Sequence, residues 1–414
     1  MHLLRTLFIL LLSYLPTAAQ VAVWDLPPLR YSSTPASDRV AKLAESWQKD
    51  PALVKGDTPL ERVRFILAEL EVPESSQILV FSKTSKQNSL IHPDNPRALY
   101  FSNNVYLGYV PGGALEVIIQ DARPGPVFYV IALGDVSQPI RVTRDTNDCL
   151  SCHGTSRTKD VPGLLVRSVF PSASGLPLFA MGSELVTHQT AIQKRWGGYY
   201  VTGSVSLPHL GNQTYVEGEE AIPEKYNWQS LEHRISTVKY PRATSDIVAL
   251  MVLEHQCHAH NLLTAASMNY RRASYLIKAI HPSADADAGA AGQIAERAAR
   301  EIIDWFLFRG EAGQGADGVE GNEVFQRDFE AAIPHTADGH SLAEFHLNGR
   351  IFKHRCSYMI YSEAFRELPI PIKSRVIARL KNIMGADNAA DEYPAIKLPE
   401  RRRISKILHE TAVW

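Results

Sequence analysis

The sequence predicts an α+β protein with a helical N-terminal arm, a β-rich middle that carries the main motif, and a helical C-terminal part. Two observations predict it. Apolar residues recur every three or four positions at both ends of the chain, whereas short runs rich in β-branched and aromatic residues fill the middle. Because helical and strand patterns occupy separate stretches, α+β is favoured over alternating βαβ. We assign residues 20–75 to the arm, 76–240 to the middle and 241–414 to the C-terminal part.

The arm has apolar residues at helical spacing across residues 37–70. Thr58, followed by Pro59 and then by Glu61, is a capping signal that predicts a helix start within this stretch. The middle contains β-rich runs separated by turns that hold Pro, Gly, Asn and Asp, and this alternation predicts an antiparallel sheet. The predicted strands cover residues 78–81, 98–101, 105–110, 115–119, 127–133, 164–170 and 199–206.

The C-terminal part returns to helical periodicity. Helices are predicted at residues 246–280, 290–308, 373–383 and 400–411. Stretches rich in Ala, Gly and Asp connect some of them, at residues 282–292 and 310–321.

Composition excludes some classes of partner. The 414 residues are 45% hydrophobic and 21% charged, which is ordinary for a globular protein with a sizeable core. A net charge of -1 with interspersed signs gives neither a basic field for nucleic acid nor a polybasic stretch for an anionic membrane surface. We therefore expect no nucleic-acid partner.

Residues 1–19 are typical of a secretory signal peptide. Arg5 precedes an apolar run over residues 7–15, and small residues follow at the point where signal peptidase would cut, near Ala19. The run is too short to span a bilayer comfortably, although an uncleaved anchor is the alternative. We expect a periplasmic protein with no stable membrane insertion after signal cleavage, because no later segment reaches 18 apolar residues.

The chemistry-bearing motif is Cys149-Leu-Ser-Cys152-His153, a C-x-x-C-H sequence that is the attachment signature of haem c. Two thiols three positions apart can add to the two vinyl groups of one porphyrin, and the adjacent histidine can ligate the iron. We expect one covalently bound haem c. A zinc site would need two more nearby ligands, and a thioredoxin-like redox pair would follow a strand in a βαβ unit; neither context is indicated.

The two remaining cysteines, Cys257 and Cys356, leave two alternatives open. In an oxidising compartment they could form a disulfide, but spacing alone does not give its geometry. The other alternative is a pair of buried thiols.

The sixth iron ligand would decide the function, because methionine raises the reduction potential, histidine lowers it, and an open position permits ligand binding or catalysis. For each candidate the alternative is an ordinary core or surface residue. The candidates are Met181, His188, His209, His255 and His258.

Charged and titratable side chains outside the motif are further candidates for the site. Glu254 and His258 are one turn apart on a predicted inward-facing helix stripe, which indicates either a buried hydrogen-bond network or a site beside the haem. Arg167 and Arg195 are candidate partners for the haem propionates through charge-assisted hydrogen bonds, with surface ion pairs as the alternative.

Several segments carry a resemblance. They are Ser76-Gln-Ile-Leu-Val-Phe-Ser-Lys-Thr-Ser85, Pro96-Arg-Ala-Leu-Tyr-Phe101, Cys149-Leu-Ser-Cys-His-Gly154, Arg195-Trp-Gly-Gly-Tyr-Tyr-Val-Thr-Gly203 and Ser357-Tyr-Met-Ile-Tyr-Ser362. In these segments the chain resembles a group of uncharacterised planctomycete-type periplasmic monohaem proteins, and the motif itself resembles that of c-type cytochromes. The resemblance spans most of the mature chain. It implies haem binding but no substrate.

The expected function is that of a periplasmic monohaem c-type cytochrome-like protein that exchanges electrons with unidentified periplasmic redox proteins. One alternative is a haem-dependent oxidoreductase with a distal pocket. Others are a haem-based module that senses a ligand or redox state, and a docking component of a larger electron-transfer complex.

Overall fold

The computed structural model describes residues 21–134, 139–385 and 392–414. The predicted signal peptide therefore lies outside the described residues. Strands dominate the first half of the described chain and helices the second, so the fold class is α+β, as predicted. None of the described helices is both long and apolar enough to cross a bilayer.

The strands are short and lie mostly between residues 78 and 205. In chain order they are β1 (Ile78–Val80), β2 (Arg97–Phe101), β3 (Val105–Tyr109), β4 (Leu115–Asp121), β5 (Gly125–Ala132), β6 (Arg141–Asp145), β7 (Arg167–Val169), β8 (Ser183–Leu185), β9 (Tyr199–Tyr200), β10 (Gly203–Val205), β11 (Asn227–Trp228) and β12 (Val319–Glu320). Within the described residues, seven of them form an antiparallel sheet in the order β6-β5-β4-β3-β2-β1-β9.

Two strand predictions need correction. The predicted strand over residues 199–206 is interrupted because Thr202 leaves the large sheet: its backbone N–H donates to Ser245 and its carbonyl accepts from Ile247. The segment therefore splits into β9 and β10. The edge strand β6 was not predicted, since its polar residues lack the apolar run by which sequence patterns reveal strands.

The helices flank the large sheet and build the C-terminal part. In chain order they are α1 (Arg39–Lys49), α2 (Pro59–Glu69), α3 (Leu150–His153), α4 (Ile247–Ile280), α5 (Ala290–Phe306), α6 (Glu323–Ala331), α7 (Glu363–Arg366), α8 (Ile370–Gly385) and α9 (Leu398–Glu410). The long α4 begins at the N-cap Asp246, whose carboxylate accepts from the Ala249 N–H, close to the predicted start. Helices α6 and α7 were not predicted.

The N-terminal arm is two helices rather than one continuous stretch. Helix α1 ends at Asp50, which caps a short turn that opens with Pro51. The predicted capping signal is confirmed at the start of α2: the Thr58 hydroxyl accepts from the Glu61 N–H, and the Glu61 carboxylate accepts from the Thr58 N–H.

The large sheet separates two hydrophobic clusters. On one face, strand residues such as Leu107 and Val117 pack with Trp47 of α1 and Ile66 of α2. On the other face, Val80 and residues of α4 belong to the extended core of the C-terminal part. The cysteine motif lies on this second face, between the sheet and α4.

Candidate functional site

The cysteine motif forms a single turn of helix at the end of the sheet. Asp145, the last residue of β6, accepts hydrogen bonds from the backbone N–H groups of Asn147 and Cys149, each at 3.0 Å. The chain then turns into α3, where the His153 N–H donates to the Cys149 carbonyl at 2.9 Å. As a result Cys149, Cys152 and His153 all line one cavity between the sheet and α4.

His153 is held in a defined orientation. Its Nδ1 lies 2.8 Å from the carbonyl oxygen of Gly163, and because a carbonyl only accepts, Nδ1 carries the proton. Burial lowers the pKa of the imidazole, so the ring is neutral and Nε2 keeps its lone pair. A backbone carbonyl bonded to the second ring nitrogen is the arrangement that orients a metal-ligating histidine. The ring also packs on Phe128, with centroids 5.4 Å apart.

The carbonyl that orients His153 is fixed in turn by α4. The Asn261 side chain accepts from the Leu164 N–H and donates to the Leu164 carbonyl, both at 2.8 Å. Gly163, one residue earlier, lies so close to Asn261 that an added Cβ would overlap its amide oxygen. Helix α4 therefore positions the segment that carries the histidine's hydrogen-bond acceptor.

The walls of the cavity come from alternate residues of the sheet. Leu99 lies opposite Gly108, which lies opposite Glu116, and Ile118 lies opposite Phe128, so side chains of one sheet face line the space. The free space between atoms is about 1240 Å³, including the part open to solvent. Leu164, Leu253 and Cys257 close the cavity from the other side. The walls are mainly apolar, as in sites for extended organic ligands.

Basic side chains border this cavity. The Arg97 guanidinium lies over Gly108, where it pairs with Glu116, and any Cβ at position 108 would collide with it. The Nε of Arg97 is buried without a hydrogen-bond partner. Arg167 and Lys86 also line the cavity. An unpaired donor among three cations is suited to the carboxylates of an anionic ligand.

These features fit a haem c. The macrocycle would lie against apolar walls, its propionates would have Arg97 and Arg167 as partners, and the two thiols and one imidazole would meet it from a single turn. Arg167 was predicted for this role, and it does line the cavity. Arg97 was not predicted.

The thiols do not suit the rival chemistries. Burial, followed by the nearby Asp145 carboxylate, raises the pKa of Cys149 to about 12, whereas redox pairs of the thioredoxin type depend on a lowered thiol pKa. The group of side chains among the described residues whose spacing would suit a metal ion is His340, Glu344 and His354, which includes neither cysteine. Cys257 and Cys356 are buried free thiols and form no disulfide with each other.

The predicted sixth ligands do not reach the cavity: none of them belongs to its lining. His188 and His255 pair with each other through their Nδ1 atoms at 2.8 Å, and His255 also contacts Ser357 at 2.6 Å. His258 stacks on Trp305 with ring centroids 4.1 Å apart.

The other two candidates for the sixth ligand also lie outside the lining of the cavity. His209 accepts at Nδ1 from the Gly211 N–H and packs on Trp196. Met181 ends a short 3-10 turn and is half-buried.

Arg195 does not belong to the lining of the cavity. It forms a buried ion pair with Glu254 at 2.6 Å, and the Trp196 indole N–H donates to the other carboxylate oxygen at 2.6 Å. This arrangement is the buried hydrogen-bond network that was the alternative interpretation of the Glu254 helix stripe. Such a pair persists because each charge satisfies the other inside the core.

Sequence reasoning missed Arg97, Tyr106 and Asn261. Arg97 directly precedes one predicted strand and Tyr106 lies within the next, so alternation along those strands could have placed them on the same face as Leu99. Nothing local indicates Asn261, because its partner Leu164 is 97 residues away.

No family model, curated protein or solved structure matches this chain. The arguments below therefore rest on its own residues.

Proposed function

We propose that this protein is a monohaem c-type cytochrome-like protein, in which Cys149 and Cys152 hold haem covalently, His153 supplies an axial ligand, and single electrons are taken up and released. One observation carries the proposal: both thiols and the histidine face one cavity, and the histidine's Nδ1 is occupied by a carbonyl, which leaves Nε2 for a metal. A haem bound there would supply one-electron chemistry.

The chain's own residues would tune that chemistry. Leu99, Ile118 and Phe128 keep water from one side of the cavity, and a dry surrounding changes the potential of a buried redox group. Arg97 and Arg167 would hold the propionates. The Gly163 carbonyl makes His153 more basic as a ligand by accepting a hydrogen bond from its Nδ1–H.

Export to the periplasm is part of the proposal. It is supported by the signal-like sequence of residues 1–19 and by the resemblance to exported monohaem proteins. The expected partners are periplasmic redox proteins. Deletion of residues 1–19 should leave the chain without covalent haem, measured by haem staining of denatured protein; equal staining with and without the segment would contradict export.

The central test is replacement of both motif cysteines. In cells that attach haem c, the C149A/C152A variant should lose all haem that survives acid-acetone extraction, because no thioether can form. The matched control is Cys257→Ala, which removes a different thiol from the same cavity and should keep its haem. Haem extracted from the natural protein, or retained by the double variant, would overturn the proposal.

A further inference from the structure

The cavity lacks the usual sixth ligands. Among the described residues that line it, His153 is the only histidine and none is a methionine. The other side chains there with atoms able to coordinate a metal are thiols, phenols, Lys86 and two carboxylates. The carboxylates are already paired, Glu116 with Arg97 and Asp148 with Lys86. An iron held by His153 would thus meet no second imidazole or thioether from this lining.

The remaining candidates are poor ligands. Burial raises the pKa of the Cys257 thiol, and a neutral thiol binds metals weakly. Tyr100 and Tyr129 direct their side chains into the cluster on the opposite sheet face, where their hydroxyls donate to Gln77 and Asp38. Burial raises the pKa of the Tyr106 and Tyr199 phenols and keeps both neutral, and a neutral phenol is a hydrogen-bond donor rather than a ligand.

The hydroxyl of Tyr106 is positioned by hydrogen bonds with two neighbours. The Gln256 amide nitrogen donates to it at 2.8 Å, and His260 Nδ1 lies 2.6 Å away. The amide of Gln256 cannot be reversed, since its oxygen accepts from the Tyr358 hydroxyl and its nitrogen also donates to the Ser102 carbonyl. The Tyr106 oxygen is therefore an acceptor from Gln256 and has one proton to place.

His260 decides where that proton points. Its ring is buried and neutral, and its Nε2 has no hydrogen-bond partner. If Nε2 carried the ring proton, a buried N–H would be left unsatisfied, which is rarer in proteins than an unsatisfied acceptor. With the proton on Nδ1, His260 donates to Tyr106. The Tyr106 hydroxyl proton is then left to point to the side of the cavity, where its neighbour is the Cys257 thiol, a weak acceptor.

We propose that the sixth position of the iron is exchangeable and binds a small diatomic ligand, such as carbon monoxide or nitric oxide, to which Tyr106 donates a hydrogen bond. This inference rests on the proposed function, because it needs a haem held by His153. It places the protein among haem proteins that bind ligands rather than among pure electron carriers.

The test uses the full haem-loaded protein, reduced and titrated with carbon monoxide. The visible spectrum should shift on binding. Tyr106→Phe should raise the C–O stretching frequency and weaken binding about fivefold, the effect of one lost hydrogen bond. The matched control is Tyr109→Phe: Tyr109 is on the same strand but packs into the cluster on the opposite sheet face, and the variant should behave as the natural protein.

Each outcome is decisive. Covalent haem with a spectrum indifferent to carbon monoxide would overturn this inference and leave the proposed function standing, whereas loss of covalent haem would overturn both. An unchanged C–O stretch in Tyr106→Phe would exclude Tyr106 as the donor. If that variant does not fold, the natural protein should still show a small shift of the stretch in D2O, and absence of the shift would overturn the role of Tyr106.

Discussion

The two faces of the large sheet are built from the same strands but differ in the side chains they carry and in how closely these pack. On the closed face, under α1 and α2, consecutive inward positions are large and apolar, including Leu107, Val117 and Tyr129. On the open face, Gly108 and the ion pair of Arg97 with Glu116 occupy equivalent positions beside a cavity. The closed face is filled by its own side chains, and the open face leaves space that a ligand could occupy.

This difference separates the sheet face that stabilises the fold from the sheet face that can bind a ligand. A closed apolar layer supplies burial free energy, whereas a cavity with a charged pair and a glycine gives up part of that burial. Sites of this kind are usually the ones that bind a ligand. The predictions that follow test this contrast.

The largest expected effect is a loss of stability in acid that begins in α4, the helix that packs on the open sheet face. His255 and His260 of α4 are buried, which lowers the pKa of each to about 3. Unfolded histidines titrate near 6.5, so from that pH downward the unfolded chain binds protons that the folded chain excludes. Stability is thus complete above pH 6.5 and falls as pH drops toward 3. Two such groups should cost about 4 kcal/mol between pH 7 and 5, measured by urea unfolding.

Helices α1 and α2 contain no histidine, so amide exchange in them should stay slow while α4 loses protection. His260→Gln should reduce the pH dependence, and the control His281→Gln, at an exposed position, should not. An identical pH dependence in both variants would contradict the assignment.

The next effect compares two leucines on adjacent strands. Leu107→Ala on the closed face should lower the free energy of unfolding by about 3 kcal/mol, because it opens a new cavity in packed surroundings. Leu99→Ala on the open face should cost about 1 kcal/mol, since this half-buried side chain already borders free space. Urea unfolding of the C149A/C152A protein measures both without haem, and equal losses would show that the faces do not differ.

A smaller effect is expected at the link between α4 and the His153 segment. Asn261→Ala leaves the buried N–H and carbonyl of Leu164 without partners, which should cost about 2 kcal/mol. The matched control is Asn269→Ala, the same change at an exposed site on the same helix, with an effect below about 0.5 kcal/mol. A similar loss in both variants would remove the proposed role of Asn261.

The smallest effect on stability is expected from Gly108→Ala. The new methyl group would push the Arg97 guanidinium aside, and because this is the end of a flexible side chain, the cost should stay below about 1 kcal/mol. In the haem-loaded protein the displaced cation should lower the reduction potential, measured by redox titration. An unchanged potential would mean that Arg97 does not act on the cofactor.

The fold class, the main strands and α4 were predictable because each depends on a local period in the sequence. The helix break near Pro51 and the edge strand β6 were not, since one depends on capping and the other on polar pairing at a sheet edge. In the site, the motif was recognisable from spacing alone. That it binds haem stays a prediction.

The sixth-ligand candidate His255 lies away from the cavity for a reason in helix geometry. Leu253 and Cys257 are four residues apart, so they share one face of α4 and line the cavity. His255, two positions from each, lies on the far side of the helix, against Trp305 and Ser357. Residue type alone does not show which side chains of α4 face the cavity, because successive residues of a helix are rotated by 100° about its axis.

The double bridge between His153 and Gly163 restrains the imidazole within the folded chain itself. The His153 carbonyl accepts from the Gly163 N–H at 2.8 Å while the imidazole donates back to the Gly163 carbonyl. The side chain therefore loses its rotational freedom on folding. In the proposed haem site, that part of the conformational entropy would be lost in folding and not a second time on coordination.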